Sequence, residues 1–225
     1  MVDLKKKVLL IDNDSQGNLT QAIGASGYDT TIYECITKGI SIDKAIIKTD
    51  ITDLDIVPAN INYANAELAL ANVKDKEFLL KKTLDGALLN YDYVLIDCSP
   101  SLSLTTLNAL VAADSVLIPL EPSIFNLQGI AQLVKIIKLV TDSLNKNLKI
   151  KGVLLTRVDA RSHLAKEIKV QLKETFGDKL FDTAIHQNIA IVKSQIAKKP
   201  VLSYERLSKG SREYLELAKE VIKRE

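Results

Sequence analysis

Tryptophan is absent from this chain, aromatic residues make up only 5% of it, and cysteine and histidine occur twice each. The two cysteines, Cys35 and Cys98, lack metal-type spacing, and Cys98 falls in an apolar segment. They read as free thiols in a reducing cytoplasm. His163 and His186 are lone histidines, and nothing around either marks a metal site. No stretch approaches 18 uninterrupted apolar residues, so no membrane span is expected. The first residues, Met1-Val2-Asp3-Leu4-Lys5-Lys6-Lys7, carry charge but no long apolar run before a small-residue cleavage site, so they are not expected to act as a secretory signal. Internal repeats, low-complexity tracts and Pro/Gly-rich linkers are also missing.

What is present is an ordinary globular composition: 225 residues, 47% hydrophobic and 26% charged. That length fits one domain over 1–225 and is enough to bury a substantial core. Short Val/Ile/Leu runs at 7–12, 54–58, 93–97, 115–120, 151–156 and 180–185 show little alternation, as strands buried on both faces of a parallel sheet do. Between and beyond them lie amphipathic patterns at 61–72, 76–89, 103–112, 124–142, 163–176, 189–198 and 209–224. Gly177 stands where the helix over 163–176 should end. Strands alternating with helices predict a doubly wound α/β fold with a mostly parallel sheet.

The net charge of +2 hides an asymmetry. Residues 1–112 hold 10 Lys/Arg and 15 Asp/Glu, a balance of −5, whereas residues 113–225 hold 20 and 13, a balance of +7. Much of this is the solvated surface that helices need, but a basic half also permits a polyanionic partner.

In open parallel sheets, ligands sit beyond the carboxyl ends of the strands. Two strand ends here are acidic: Leu9-Leu10-Ile11-Asp12-Asn13-Asp14 and Val94-Leu95-Ile96-Asp97. Apolar residues followed by Asp form the Walker-B pattern, whose carboxylate holds magnesium beside nucleotide phosphates. One such end is weak evidence, because strands often end in a capping Asp. Two in one chain are stronger.

At these segments the chain resembles the ParA/Soj partition ATPases, relatives of MinD. KKVLLIDNDSQGN resembles the family's D-x-D-P-Q-G-N strand, and YDYVLIDCSPSLSLTTLNALVAAD its Walker-B strand and following helix. SVLIPLEPSIFNLQGIAQL, GVLLTRVDARSHLAKEI and KPVLSYERLSKGSREYLELAKEVIKR match later segments in order, over essentially the whole chain. The resemblance implies a P-loop NTPase fold, ATP and magnesium as cofactors, a homodimer, nonspecific DNA and a ParB-like centromere-binding protein as partners, and a cytoplasmic, nucleoid-associated location. Carried over by position, it makes Asp14 the catalytic carboxylate that orients water, Asp97 the magnesium residue acting through water, and Asp12 and Asn188 contacts to the nucleotide site. It places DNA contact at Arg161, and Lys166, Lys169 and Lys173 share one helical face with spacing that extends it. The alternatives are a capping role for the aspartates and plain solvated surface for the basic residues.

The chain departs from that pattern in one large respect. The family opens with a strand, the loop K-G-G-V-G-K-T-T and a helix, yet none of the nine glycines here is followed by lysine. Roughly 30 residues of a complete unit are missing. Without a phosphate cradle the three aspartates would meet a triphosphate as like charges, so little or no nucleotide binding is expected of the chain alone. The missing strand should be central, leaving its neighbours without ladder partners. Of two explanations, a truncated longer reading frame and a variant completed by a partner, the completeness of the other motifs favours the first. Ser15 also replaces the usual proline, and Ala190 stands where the family has a DNA-contacting arginine; Lys193, Lys198, Lys199 and Lys209 are placed to compensate. Two other readings stand beside partition: a non-catalytic DNA- or protein-interaction remnant, and a MinD-like positioning ATPase. The second is disfavoured, because the C-terminal helix mixes acids with bases where a lipid anchor should be basic.

Overall fold

The computed structural model describes the backbone of residues 1–225 and the side chains of all but Ala87, Leu88, Ile124, Phe125, Leu127 and Gln128. The chain forms two compact units, Met1–Ala113 and Asp114–Glu225.

The first unit runs β1 (Val8–Asn13), α1 (Asn18–Ala22), α2 (Ile32–Lys38), β2 (Ile47–Lys48), β3 (Leu54–Val57), α3 (Ala66–Ala69), α4 (Leu79–Leu84), β4 (Tyr93–Cys98) and α5 (Leu104–Ala112), with short 3-10 turns between. Its sheet has the order β2-β3-β1-β4. β1 pairs in parallel with both β3 and β4, and β2 joins antiparallel at the far edge. β1 is central, and both of its faces are buried: Val8, Leu9 and Ile11 are at most 2% exposed. Leu9 and Ile11 pack with Ile32, Val57, Tyr63 and Leu80 in the unit's core. Among the described residues β4 has a hydrogen-bonded neighbour on one side only, and Leu95 in its middle is 43% exposed. The continuous apolar runs at 54–58 and 93–97 therefore share one character in sequence but differ in burial.

The second unit runs β5 (Ser115–Leu120), α6 (Ile124–Ser143), β6 (Lys149–Val158), α7 (His163–Phe176), β7 (Leu180–His186), α8 (Ile189–Ile196), α9 (Val201–Tyr204) and α10 (Lys209–Lys223). Its sheet, β5-β6-β7, is wholly parallel, and β5 lies at an edge. Side-chain oxygens start these helices: Ser123, Ser162, Asn188 and Ser208 each accept from a backbone N–H in the first turn. Gly177 ends α7. α7 turns Ala165, Ile168 and Leu172 inward at helical spacing. α10 lays Leu217 and Val221 against Leu154, Phe181 and Ile185. Glu220 accepts from the backbone N–H groups of Asp182 and Thr183, and the Arg224 guanidinium sits 4.1 Å from the Phe181 ring centre. The apolar face of the C-terminal helix is thus engaged with β7.

The architecture is the expected one, mostly parallel sheets with flanking helices. The helix patterns at 61–72 and 76–89 are instead broken into short α and 3-10 pieces, and α1, α2, α9 and β2 were not legible in the sequence. Each of these is seven residues or shorter, too brief to show a period.

Candidate functional site

Parallel pairing of β1 with β4 sets Asp12 opposite Asp97 in the ladder. Two carboxylates separated by 85 positions in the chain therefore finish neighbouring strands at the same level. Asp12 is fully buried. Its Oδ2 accepts from the Thr20 backbone N–H at 2.8 Å and from the Thr20 hydroxyl at 2.6 Å, and its Oδ1 accepts from the Asp14 N–H at 3.3 Å. The Thr20 hydroxyl in turn accepts from the Ala59 N–H at 3.0 Å. Asp12 thus serves an otherwise orphan N–H in the first turn of α1 and fixes the loop that presents Asp14. Asp14 is half-buried; its Oδ1 accepts from the Gln16 N–H at 3.0 Å, closing an Asx turn.

Asn13 faces the other way and ties the strand end to its surroundings. Its Oδ1 accepts from the buried Tyr63 hydroxyl at 2.7 Å, and its Nδ2 donates to the Thr105 carbonyl at 3.0 Å and reaches Cys98 Sγ at 3.7 Å. Burial raises the Tyr63 phenol well above its ordinary range, so it stays a neutral donor. Burial, with the nearby charges of Asp97 and Asp14, likewise pushes the Cys98 thiol up to about 11, and burial raises Cys35 to about 11. Neither is an activated nucleophile.

Asp97 keeps solvent-exposed surface, yet its carboxyl is raised above the usual range. Loss of hydration is the largest cause, followed by the charges of Asp12 and Asp14. The exposed surface and the desolvation agree if the open edge admits water while protein packs the rest of the group. Asp97, open to solvent and repelled by Asp12 and Asp14, offers a carboxylate suited to a hard divalent cation. Among the described residues no three His, Cys, Asp or Glu side chains converge enough to chelate a metal on their own. Magnesium is held by one or two protein carboxylates and fills the rest of its shell with water and phosphate oxygens.

Gly17 completes the loop. Its φ of 62° is left-handed, and a Cβ there would lie 3.0 Å from the Ala59 carbonyl oxygen, so only glycine fits without strain. Beside it lies a cavity of about 210 Å³ lined by the loop residues Ser15, Gln16 and Gly17 with Tyr28 and Asn60. The carboxylates do not line it, so the cavity and the acidic cluster are distinct features of the same loop. The sequence reading passed over Thr20, Asn13 and Tyr63. A threonine eight residues beyond the strand-end aspartate was a signal available in principle, whereas Tyr63 is brought in only by tertiary packing.

The remaining candidates lie in the second unit. Asn188 caps α8, its Oδ1 accepting from the Ala190 N–H at 2.8 Å. Arg161 is almost fully exposed and returns to Asp159, with Nε 3.4 Å from Oδ1. Lys166, Lys169 and Lys173 are exposed on α7, next to its buried stripe, and Lys173 makes one loose ion pair, 3.9 Å from Asp178. The three lysines are therefore open to solvent along one helix. No helix among the described residues is long and apolar enough to cross a membrane.

Comparison with known proteins follows the same lines. The AAA domain family designated AAA_31 matches residues 1–150. The sporulation initiation inhibitor protein Soj of Bacillus subtilis is 40% identical over 218 residues, covering 96% of this chain and 86% of that protein. The chromosome partitioning protein ParA of Caulobacter vibrioides is 39% identical over 224 residues, covering 98% and 84%. Among solved structures, cobyrinic acid a,c-diamide synthase from Mycobacterium smegmatis, with bound ATP analog and magnesium, superposes with a TM-score of 0.84 at 29% identity, covering 97% of this chain and 82% of that one.

Proposed function

The chain belongs to the AAA_31 family, with ParA- and Soj-type partition proteins as its relatives, and from that premise we propose that it is a cytoplasmic partition ATPase that segregates plasmid or chromosomal DNA through an ATP-driven cycle of homodimerisation and nonspecific DNA binding. The observation that carries this reading is the pairing of Asp12 with Asp97 at adjacent strand ends, with Asp14 projected from the loop that Asp12 anchors. Asp97 would hold magnesium through water, and Asp14, whose Oδ1 is already fixed by the Gln16 N–H, would orient the attacking water. Bound magnesium would supply charge neutralisation between the carboxylates and the phosphates. Asn188 would contact the nucleotide. Arg161 with Lys166, Lys169 and Lys173 would meet DNA phosphates without reading bases, and a ParB-like centromere-binding protein would stimulate turnover.

A second reading has one specific observation in its favour. No glycine in these 225 residues is followed by lysine, so the backbone cradle that neutralises a triphosphate is not among them. The chain would then be a non-catalytic DNA- or protein-interaction remnant, for which no turnover is expected even when a phosphate-binding segment is supplied. One experiment separates the two. ATP hydrolysis is measured for the 225-residue chain and for the chain preceded by a strand, a K-G-G-x-G-K-T loop and a helix. The proposal expects no turnover from the first and turnover from the second, abolished by Asp14→Ala with ATP binding retained. Turnover by the unextended chain, or an extended chain indifferent to Asp14→Ala, refutes it.

A further inference from the structure

Helix α8 turns three of its five apolar residues to solvent. The residues it buries most deeply are Ala190 and Ser194, 2% and 3% exposed. Those it turns to solvent are Ile189, Val192 and Ile196, 67%, 51% and 79% exposed. At 100° per residue these three fall within a sector of about 60°, forming a stripe about 10 Å long. Single exposed apolar residues need no explanation, but three in register on one face do.

The helix cannot relieve this by rolling over. Asn188 caps its first turn. Ile191 packs against the cluster of Leu154, Phe181 and Ile185. Gly210, in the first turn of α10, lets that helix approach closely; a Cβ there would come within 2.8 Å of Ile191 Cγ1. The outward stripe is therefore held in place by the inward contacts.

The charge around it has one sign. Residues 187–204 contain Lys193, Lys198 and Lys199 and no Asp or Glu. All three lysines are exposed, and among the described residues none has an ion-pair partner, whereas Lys209 and Lys219 on α10 pair with Glu213 and Glu216. An apolar stripe rimmed by uncommitted positive charge is complementary to a surface that is apolar in the middle and acidic at its edges.

We infer that the outward face of α8 is a docking surface for an acidic amphipathic segment of a partner protein. The stripe matches the i, i+3, i+7 anchors of one short helix laid along it. Its side chains are β-branched and lose little rotamer freedom on being covered, which favours a fitted protein contact. Nucleic acid has no use for an aliphatic strip, and α8 itself carries no aromatic ring on which a base would stack; the next in the chain, Tyr204, lies on α9. A membrane-surface helix needs a broader apolar face with bulky aromatic or leucine anchors, and α8 has only two turns. The surface is formed by α8 and the two lysines that follow it, and does not depend on the nucleotide reading.

The test uses the full 225-residue chain and a fluorescent synthetic helical peptide with leucines at i, i+3 and i+7 and glutamates flanking them. Binding is followed by anisotropy. We expect saturable binding that weakens by about tenfold or more in Val192→Ser/Ile196→Ser, and similarly in Lys193→Glu/Lys198→Glu/Lys199→Glu. A peptide with lysines in place of the glutamates should not bind. Both variants alter exposed side chains and should melt like the parent. Absence of acidic-peptide binding, or equal binding by the variants, overturns the inference. So does binding to phosphatidylglycerol vesicles that Val192→Ser/Ile196→Ser removes, which would make the face a lipid contact. Concentration-dependent self-association removed by the same pair would assign the face to a second copy and overturn it too.

Discussion

Replacing Thr20 by valine keeps the shape of a buried side chain and deletes its hydroxyl. That hydroxyl donates to Asp12 Oδ2 at 2.6 Å and accepts from the Ala59 N–H at 3.0 Å, and both Thr20 and Asp12 are buried. A hydrogen bond to a buried carboxylate contributes roughly 1.5–3 kcal/mol, and leaving the Ala59 N–H without an acceptor costs roughly 1–3 kcal/mol more. The added methyl offsets about 0.8 kcal/mol. The net expectation is a loss of about 3 kcal/mol. With a urea slope of roughly 2 kcal/mol per molar, the unfolding midpoint should fall by about 1.5 M. Thr20→Ser keeps the hydroxyl and should lose less than about 1 kcal/mol. A cycle combining Thr20→Val with Asp12→Asn should show coupling of about 1.5 kcal/mol or more, because the two side chains share one bond. The assay is urea unfolding of the first unit's core, followed by a probe attached near Tyr63. If Thr20→Val unfolds within about 0.5 kcal/mol of the parent, or if serine and valine are equivalent, the hydroxyl does not anchor Asp12 and the account of the loop fails.

Four other outcomes follow from the same coordinates. The Asp97 carboxyl is raised in the folded state, so the folded form holds a proton that the unfolded chain releases, and stability should rise as pH falls through that raised value. Asp97→Asn should therefore resist urea better than the parent at pH 8, with the advantage fading as pH falls to about 4, where the unfolded carboxyl is itself protonated; a gap that does not change with pH contradicts this. Gly17→Ala places a Cβ in left-handed backbone 3.0 Å from the Ala59 carbonyl oxygen and should lower the unfolding free energy by about 1–3 kcal/mol, a value that denaturant titration can check against zero. The open edge of β4, with Leu95 at its centre, should make the 225-residue chain associate as its concentration rises, and Leu95→Lys should suppress this in sedimentation velocity; a single monomeric boundary at all concentrations would count against it. Finally, Arg161→Glu in the chain supplied with a phosphate-binding segment should weaken two unrelated duplexes by a similar factor and reduce the salt slope by about one; unchanged affinity and slope would make this face plain solvated surface.

The sequence by itself determined the alternation of strands and helices, because continuous Val/Ile/Leu runs and long amphipathic periods are local properties. The strand at Ser115–Leu120 and the helix at His163–Phe176 with Gly177 after it were legible to the residue. So were the acidic strand ends, since Asp12, Asp14 and Asp97 follow apolar runs directly. The sequence did not reveal that Asp12 and Asp97 stand in register, because strand pairing joins residues whose separation in the chain carries no signal. Nor did it distinguish the roles of the aspartates. Asp12 is consumed by Thr20 and buried, Asp14 is half-open, and Asp97 keeps water, a difference set by which neighbours each carboxylate meets. The same holds for α8. Its apolar residues read as core in one dimension, and only the packing of Ile191 against the β7 cluster decided which side of the helix faces solvent.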